Sequence, residues 1–283
     1  MILPEFYVDD VIKRALEEDI NYIDLATDLL IPEEDVSAAE FVSKAEGVLA
    51  GIDCALRTFT FVDSDVKCEI FIHDGEKVAK GDVIAKVQGR TRSILKAERT
   101  SLNILQHMSG VATATNKLVA ACEGTKASVV DTRKTLPGLR ALEKYAVTAG
   151  GGRNHRFNLS DAAMLKDNHI DAYGSITGAV DALRKKIGHM AKIEVEVRNK
   201  EELKEALGCR CDVIMLDNMT PAEMSECVKI ADGKAVLEAS GNVTIDNIAA
   251  VAATGVDVIS VGAITHSVKA FDISLKIIGN TAQ

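Results

Sequence analysis

From about residue 125 onward, short β-branched apolar runs alternate with longer stretches of helical period. The runs are ASVVD (127–131), AAMLK (162–166), KIEVEV (192–197), DVIMLD (212–217), AVLEAS (235–240) and DVISVG (257–262). Their length and β-branched content fit strands of a covered parallel sheet. Between most of them lie SITGAVDALRKKI (175–187), NKEELKEAL (199–207), TPAEMSECVKIA (220–231) and TIDNIAAVAATG (244–255). Thr220-Pro221 and Thr244 are helix starts, and Gly255 is a helix stop. Strand and helix alternating this often predict an α/β fold with an incomplete (β/α) barrel over residues 109–266.

The first 108 residues read as a separate α+β unit. A helix from Val8 to Asp19 precedes a strand at 39–51, a helix over Ile52–Phe61 and strands at 67–78 and 81–89. A helix from Ser93 to Met108 follows, with Ile94, Leu95, Leu102, Ile104 and Leu105 on one broad face. The segment HDGEKVAKGDVIAKVQG resembles the hairpin of biotin- or lipoyl-carrying domains. It holds no Met-Lys or similar lysine between paired strands and is not repeated, so only the hairpin geometry is expected.

Composition narrows the class. Hydrophobic residues make up 47% and charged residues 27%, the balance of a soluble protein with a sizeable core. Aromatics are only 4% and Trp is absent, so Val, Ile, Leu, Ala and Met must build that core. No apolar run approaches the roughly 20 residues needed to span a bilayer. MILPEFYVDD lacks a basic flank followed by an apolar segment, so a cytoplasmic protein is expected. Cys209 and Cys211 form a C-x-C without a second pair, too little for a four-ligand zinc site, and the six cysteines read as reduced thiols. A net charge of −9 argues against general nucleic-acid binding. Residues 131–169 nevertheless carry +3 and leave −12 to the rest, a basic island suited to a small polyanion.

That island holds most of the candidate chemistry. Thr132-Arg133-Lys134 follows an apolar strand, and in a parallel barrel such positions open into the mouth. Arg133 offers a planar fork to a carboxylate or phosphate, Lys134 a point charge. Gly150-Gly151-Gly152 precedes Arg153, His155 and Arg156, and Lys166 ends the next strand. A triple glycine alone is weak, and a lone His155 or His169 is more often an ordinary hydrogen-bonding residue; strand-end cations beside them shift the balance toward function. Glu194 and Glu196 alternate with Ile193, Val195 and Val197, so both face the barrel interior, where an acidic pair is costly without cations. Glu196 and Asp217, ending successive strands, can hold Mg²⁺ or stabilise a positive sugar carbon. Ser240-Gly241-Asn242 and Val261-Gly262-Ala263 end the last two strands, where backbone N–H groups often bind phosphate.

DTRKTLPGLR, GGGRNHRFNLSDAAMLKDNH, IEVEV, MLDNM, EASGN and ISVGAITHS, with ERTSLNILQHMSGVAT upstream, resemble the nicotinate-nucleotide pyrophosphorylase (carboxylating), or quinolinate phosphoribosyltransferase, family. The match runs in order from Glu98 to Ser267. EDINYIDLATDLLIP departs from the family's E-D-x-x-x-G-D-I-T-T, keeping only Thr27-Asp28. The resemblance implies an N-terminal α/β sandwich with a C-terminal helix (267–283) returning to it, and a homodimer in which Arg99 reaches the partner's site. It implies that Arg133, His155, Arg156 and the partner's Arg99 meet quinolinate. Lys134 and Lys166 would meet the phosphates of phosphoribosyl pyrophosphate, Glu196 and Asp217 would hold Mg²⁺ and ribose hydroxyls, and the 240–242 and 261–263 turns would hold the 5′-phosphate. No organic cofactor is implied.

Three alternatives stay open at this point. One is a phosphoribosyltransferase for nicotinate or another heterocyclic acid. Another is a Schiff-base aldolase using Lys166. The third is a carrier or scaffold without catalysis.

Overall fold

The computed structural model describes residues 3–280. In chain order, the elements up to residue 121 are α1 (Glu5–Asp19), α2 (Leu25–Leu30), β1 (Val36–Ser43), β2 (Gly47–Val48), α3 (Ile52–Val62), β3 (Lys67–Ile70), β4 (Lys77–Val78), β5 (Val83–Arg90) and α4 (Thr91–Ala121). Then come β6 (Ser128–Val130), α5 (Arg140–Ala149), β7 (Ala163–Leu165), α6 (Asp167–Tyr173), α7 (Ile176–Arg184), β8 (Ile193–Val197) and α8 (Lys200–Gly208). The chain closes with β9 (Val213–Asp217), α9 (Pro221–Ala231), β10 (Val236–Ser240), α10 (Ile248–Ala253), β11 (Val258–Ser260), α11 (Ala263–His266) and β12 (Ile273–Asn280).

Two compact units result. One comprises the chain up to Asn116, Thr135–Gly151 and the segment from Thr265; the other comprises Lys117–Lys134 and Gly152–Ile264. The first has an antiparallel sheet in the order β12-β1-β5-β3. Ala39, Phe41, Ile84, Ala85 and Val87 from this sheet join Ile52, Phe59, Ile94 and Leu105 in its core. Phe41 and Phe59 meet edge to face, ring centroids 5.8 Å apart.

Four expectations for this unit change. The expected C-terminal helix is the strand β12, paired with β1 from Ser43↔Ile273 to Ser37↔Asn280. Its DISLKIIGN segment alternates, burying Ile273 and half-burying Leu275, and such a β-branched run fits an open sheet edge better than a helix face. The last three residues of the expected helix lie outside the described residues. The strand at 39–51 forms instead as β1 and β2. The strand at 67–78 breaks after Ile70, β3 pairing with β5 and β4 with β2, so no carrier-type hairpin forms. Finally, α4 runs through Ser109-Gly110 to Ala121, because Gly110 marks close packing on the Lys269 carbonyl, which a Cβ would strike. The α5 segment, read with the barrel, belongs to this unit.

The second unit contains all six expected barrel strands, in the parallel order β6-β11-β10-β9-β8-β7. From β7 to β11 each strand lies beside its predecessor, so every crossover steps in one direction. Right-handed crossovers of that kind place all helices on one face and curl the sheet. Consistently, α7 touches α8, α8 touches α9 and α9 touches α10. The first strand, β6, sits beside the last, β11, and the sheet is open between β6 and β7, as an incomplete barrel requires. Thr220 caps α9 by accepting from the Glu223 N–H, as Thr220-Pro221 predicts. The helix expected from Thr244 begins only at Ile248, because Asn247 Oδ1 first accepts the Thr244 N–H at 2.8 Å and makes a turn.

Candidate active site

Because the six strands are parallel, their C-terminal ends share one edge, and each delivers a residue singled out above. Beyond β6 come Thr132, Arg133 and Lys134; β7 leads into Lys166; β8 carries Glu196 and β9 Asp217; β10 ends at Ser240, and β11 leads into Val261. Pairing of Ser240 with Asp217 and of Ser260 with Val130 keeps these ends level.

The outer layer is basic and acidic together. Lys166 Nζ donates to Glu196 Oε2 at 2.8 Å. The lysine is half exposed and the glutamate buried. The Lys166 backbone N–H donates to His169 Nδ1 at 3.1 Å, which occupies His169 as a cap of α6 and fixes the start of the lysine. An ammonium held on a carboxylate is not the free amine that Schiff-base chemistry needs. Lys134 is exposed, and its N–H donates to Thr132 Oγ1 at 3.0 Å.

Arg156 is half-buried and donates to the Ala162 carbonyl at 2.8 Å. Burial, followed by the like charge of Arg133, lowers its pKa below the usual arginine value, with Glu194 and Asp161 partly offsetting them. Two crowded, partly desolvated guanidiniums favour an anion, and a dicarboxylate relieves both.

Below the arginines lies a buried acidic floor. His155 Nε2 is 3.1 Å from Glu194 Oε2 and 3.5 Å from Glu238 Oε2. The Arg156 N–H donates to His155 Nδ1 at 2.7 Å. A backbone amide can only donate, so Nδ1 is the acceptor and Nε2 carries the proton toward the carboxylates. Although these three side chains have ligand spacing, that tautomer offers a metal no lone pair. Burial pushes the Glu238 carboxyl up, to about 7, and Glu194 adds to this while His155 opposes it. Asp131, fully buried, accepts the His155 N–H at 2.9 Å and the Asn154 amide at 2.6 Å, pinning this segment beside β6.

Sequence reasoning passed over Glu238 and Asn218. Glu238 was legible by the alternation that exposed Glu196, since Val236, Glu238 and Ser240 share a face. Asn218 emits no such signal; it takes φ +53° and donates to Asp217 Oδ2 at 2.8 Å. Arg99 lies exposed on α4, in the first unit. Val261 donates its N–H to the Val130 carbonyl at 2.9 Å, tying the end of β11 to β6.

A cavity of about 350 Å³ lies at the opposite, N-terminal ends of β10 and β11, lined by Lys126, Asp212, Lys234 and Asp257 among others. Asp257 is already bonded to Lys126 and the Leu237 N–H, and Asp212 to Arg184 and the Ile193 N–H. Arg133, Lys134 and Lys166 stand at the other edge, beyond the C-terminal ends of β6 and β7.

Comparison with known proteins places this arrangement. Residues 24–109 match the family model for the N-terminal domain of quinolinate phosphoribosyl transferase, and residues 111–276 match its C-terminal domain. The chain is 44% identical over 260 residues to a probable nicotinate-nucleotide pyrophosphorylase (carboxylating) of Bacillus subtilis (strain 168), covering 92% of this chain and 90% of that one. It is 42% identical to a mitochondrial quinolinate phosphoribosyltransferase (decarboxylating) of Nicotiana tabacum, covering 97% of this chain and 83% of that one. The crystal structure of NadC from Streptococcus pyogenes superposes with a TM-score of 0.95 at 39% identity, covering 99% of this chain and 100% of that one.

Proposed function

The chain belongs to the quinolinate phosphoribosyl transferase family, and on that premise we propose how its strand ends perform the family's reaction. The phosphoribosyl group of phosphoribosyl pyrophosphate passes to quinolinate with decarboxylation, giving nicotinate mononucleotide, pyrophosphate and carbon dioxide. One observation carries the assignment of residues: all six parallel strands bring a predicted ligand-binding residue to the same edge.

Arg133 and Arg156 grip the two carboxylates, and His155 is bonded to the backbone of the second. Lys134 and Lys166 meet the phosphates, Lys166 exchanging its bond to Glu196 for one to substrate. The Ser240–Asn242 turn, with Gly262 and Ala263, meets the 5′-phosphate. Ring nitrogen attacks the ribosyl carbon as pyrophosphate leaves, and Glu196 and Asp217 offset the positive charge that develops on that carbon. The positive ring nitrogen then stabilises, as an ylide, the electron pair left on the adjacent ring carbon when its carboxylate departs as carbon dioxide. A proton from solvent completes the product, so no organic cofactor is needed. An analogue lacking the second carboxylate leaves a partly desolvated guanidinium facing no anion, a cost of roughly 1–3 kcal/mol.

Glu196 and Asp217 fit Mg²⁺: they are hard oxygen donors on adjacent strands, and Glu196 already holds a cation, the Lys166 ammonium. When bound with substrate, the ion neutralises charge on the departing pyrophosphate.

The active protein is a homodimer with Arg99 supplied across the interface. The exposed Phe6, Leu25, Leu29 and Leu30 of the first unit support burial against a partner. Six free cysteines support a reducing, cytoplasmic setting, and among the described residues no helix is long and apolar enough to cross a membrane.

Steady-state turnover with quinolinate and with nicotinate tests the assignment. Carbon dioxide release requiring quinolinate, phosphoribosyl pyrophosphate and Mg²⁺ is expected; equal turnover of nicotinate contradicts it. Mixing inactive Arg99→Ala and Arg133→Ala subunits tests the dimer. Exchange should restore about a quarter of wild-type activity, since half the dimers then hold one intact site. No recovery rules out a shared site.

A further inference from the structure

We propose that Asn218 is a positioning residue that sets the distance between the two halves of the phosphoribosyl pyrophosphate site, Asp217 on one side and the Gly241–Asn242 turn on the other. This rests on the reading above. Four features meet at the residue. Its backbone N–H donates to the Ser240 carbonyl at 2.9 Å, tying the end of β9 to the end of β10. Its Nδ2 donates to Asp217 Oδ2 at 2.8 Å. Its Oδ1 accepts from Asn242 Nδ2 at 3.2 Å. Gly241, at φ +102°, lies so close that a Cβ there would overlap the Asn218 carboxamide.

The polarity of this chain is dictated by chemistry. An ionised carboxylate only accepts, so the Asn218 nitrogen must face Asp217 and its oxygen must face Asn242. Asn242 is held in turn, its carbonyl accepting from Asn247 Nδ2 at 3.0 Å, and Asn247 Oδ1 takes the Thr244 N–H. Both Asn218 and Asn242 sit in the left-handed region, at φ +53° and +51°, which Asn tolerates better than most side chains. Asparagine combines that tolerance with a donor and an acceptor on one short carboxamide. Alanine loses both bonds and strains the backbone. Aspartate places a second carboxylate against Asp217. Glycine keeps the backbone and removes only the carboxamide.

A ligand with a phosphate at one end and a cation-bound diphosphate at the other must touch both halves. Quinolinate, gripped by the arginines, need touch neither. Asn218 therefore governs affinity for phosphoribosyl pyrophosphate and leaves quinolinate affinity intact.

The full chain and its Asn218→Gly, Asn218→Ala and Asn218→Asp variants serve as the test. Calorimetry measures Mg²⁺–phosphoribosyl pyrophosphate binding with and without phthalate, a dicarboxylate with no ring nitrogen to attack. Quinolinate binding is measured separately, as are the KM values for both substrates. In Asn218→Gly, affinity for Mg²⁺–phosphoribosyl pyrophosphate should fall roughly tenfold or more, as the loss of a charge-assisted hydrogen bond predicts, while quinolinate affinity stays within about twofold. Asn218→Asp should bind the phosphorylated substrate at least as poorly. Wild-type affinity in Asn218→Gly beside weak binding in Asn218→Ala would overturn the proposal, leaving Asn218 a turn residue chosen for its backbone. Equal weakening of both ligands would also overturn it. A wild-type chain that binds no phosphoribosyl pyrophosphate in either condition would reject the functional reading, and this inference with it.

Discussion

The two larger sheets of this chain line their buried faces with opposite chemistry. The antiparallel sheet of the first unit presents Ala39, Phe41, Ile84, Ala85 and Val87 to an apolar core. The parallel sheet of the second buries Glu194, Glu196, Glu238 and Ser260 among its core residues. Apolar burial stabilises by itself; buried carboxylates cost free energy until protons or cations meet them. Here Glu196 has Lys166, while Glu194 and Glu238 share His155. The difference separates a region whose sequence answers to stability from one whose sequence answers to ligands.

Substitutions sharpen that separation. Phe41→Ala should show the largest effect, lowering the free energy of unfolding by about 3–5 kcal/mol, since it removes a fully buried ring and its partner contact. Denaturant titration measures this, and kcat/KM well below the unfolding midpoint should hold. Arg133→Ala should do the reverse. The expected loss in kcat/KM is roughly a hundredfold to a thousandfold, about 3–4 kcal/mol, with the unfolding midpoint nearly unchanged. Unchanged kinetics would remove Arg133 from the site.

Glu238→Gln should have the smallest effect and the most specific one. Burial raises the native carboxyl from its ordinary 4.5 to about 7, so between those values the folded chain keeps a proton that the unfolded chain releases. Stability from this group is therefore present below about pH 4.5 and is lost as pH rises toward 7. Glutamine stays neutral throughout, so the variant's stability should fall less across that window, by at least about 1 kcal/mol. Urea midpoints at intervals from pH 4.5 to 8 measure it; identical slopes would place Glu238 in solvent-like surroundings.

Much of the second unit was legible because its strands are buried on both faces. Runs such as KIEVEV and DVIMLD are short, β-branched and flanked by capped helices, so local pattern and tertiary demand agree. Basic strand ends were legible for the same reason, once strand direction is known. The first unit was read less well where context overrides pattern. Only packing on the Lys269 carbonyl shows that Gly110 continues α4, and only pairing with β1 makes Ile273–Asn280 a strand. Glu238 was legible by alternation and was passed over, whereas Asn218 stayed hidden because its significance lies in a partner distant in sequence, Asn242 beyond the end of β10.

A crystal structure of the protein with phthalate, phosphoribosyl pyrophosphate and Mg²⁺ tests the convergence of charge most directly. Arg133 and Arg156 should lie within hydrogen-bond distance of the carboxylates, Lys134 and Lys166 of phosphate oxygens, with the metal at Glu196 and Asp217. Ligands bound elsewhere, or these four basic side chains directed into bulk water, would contradict it.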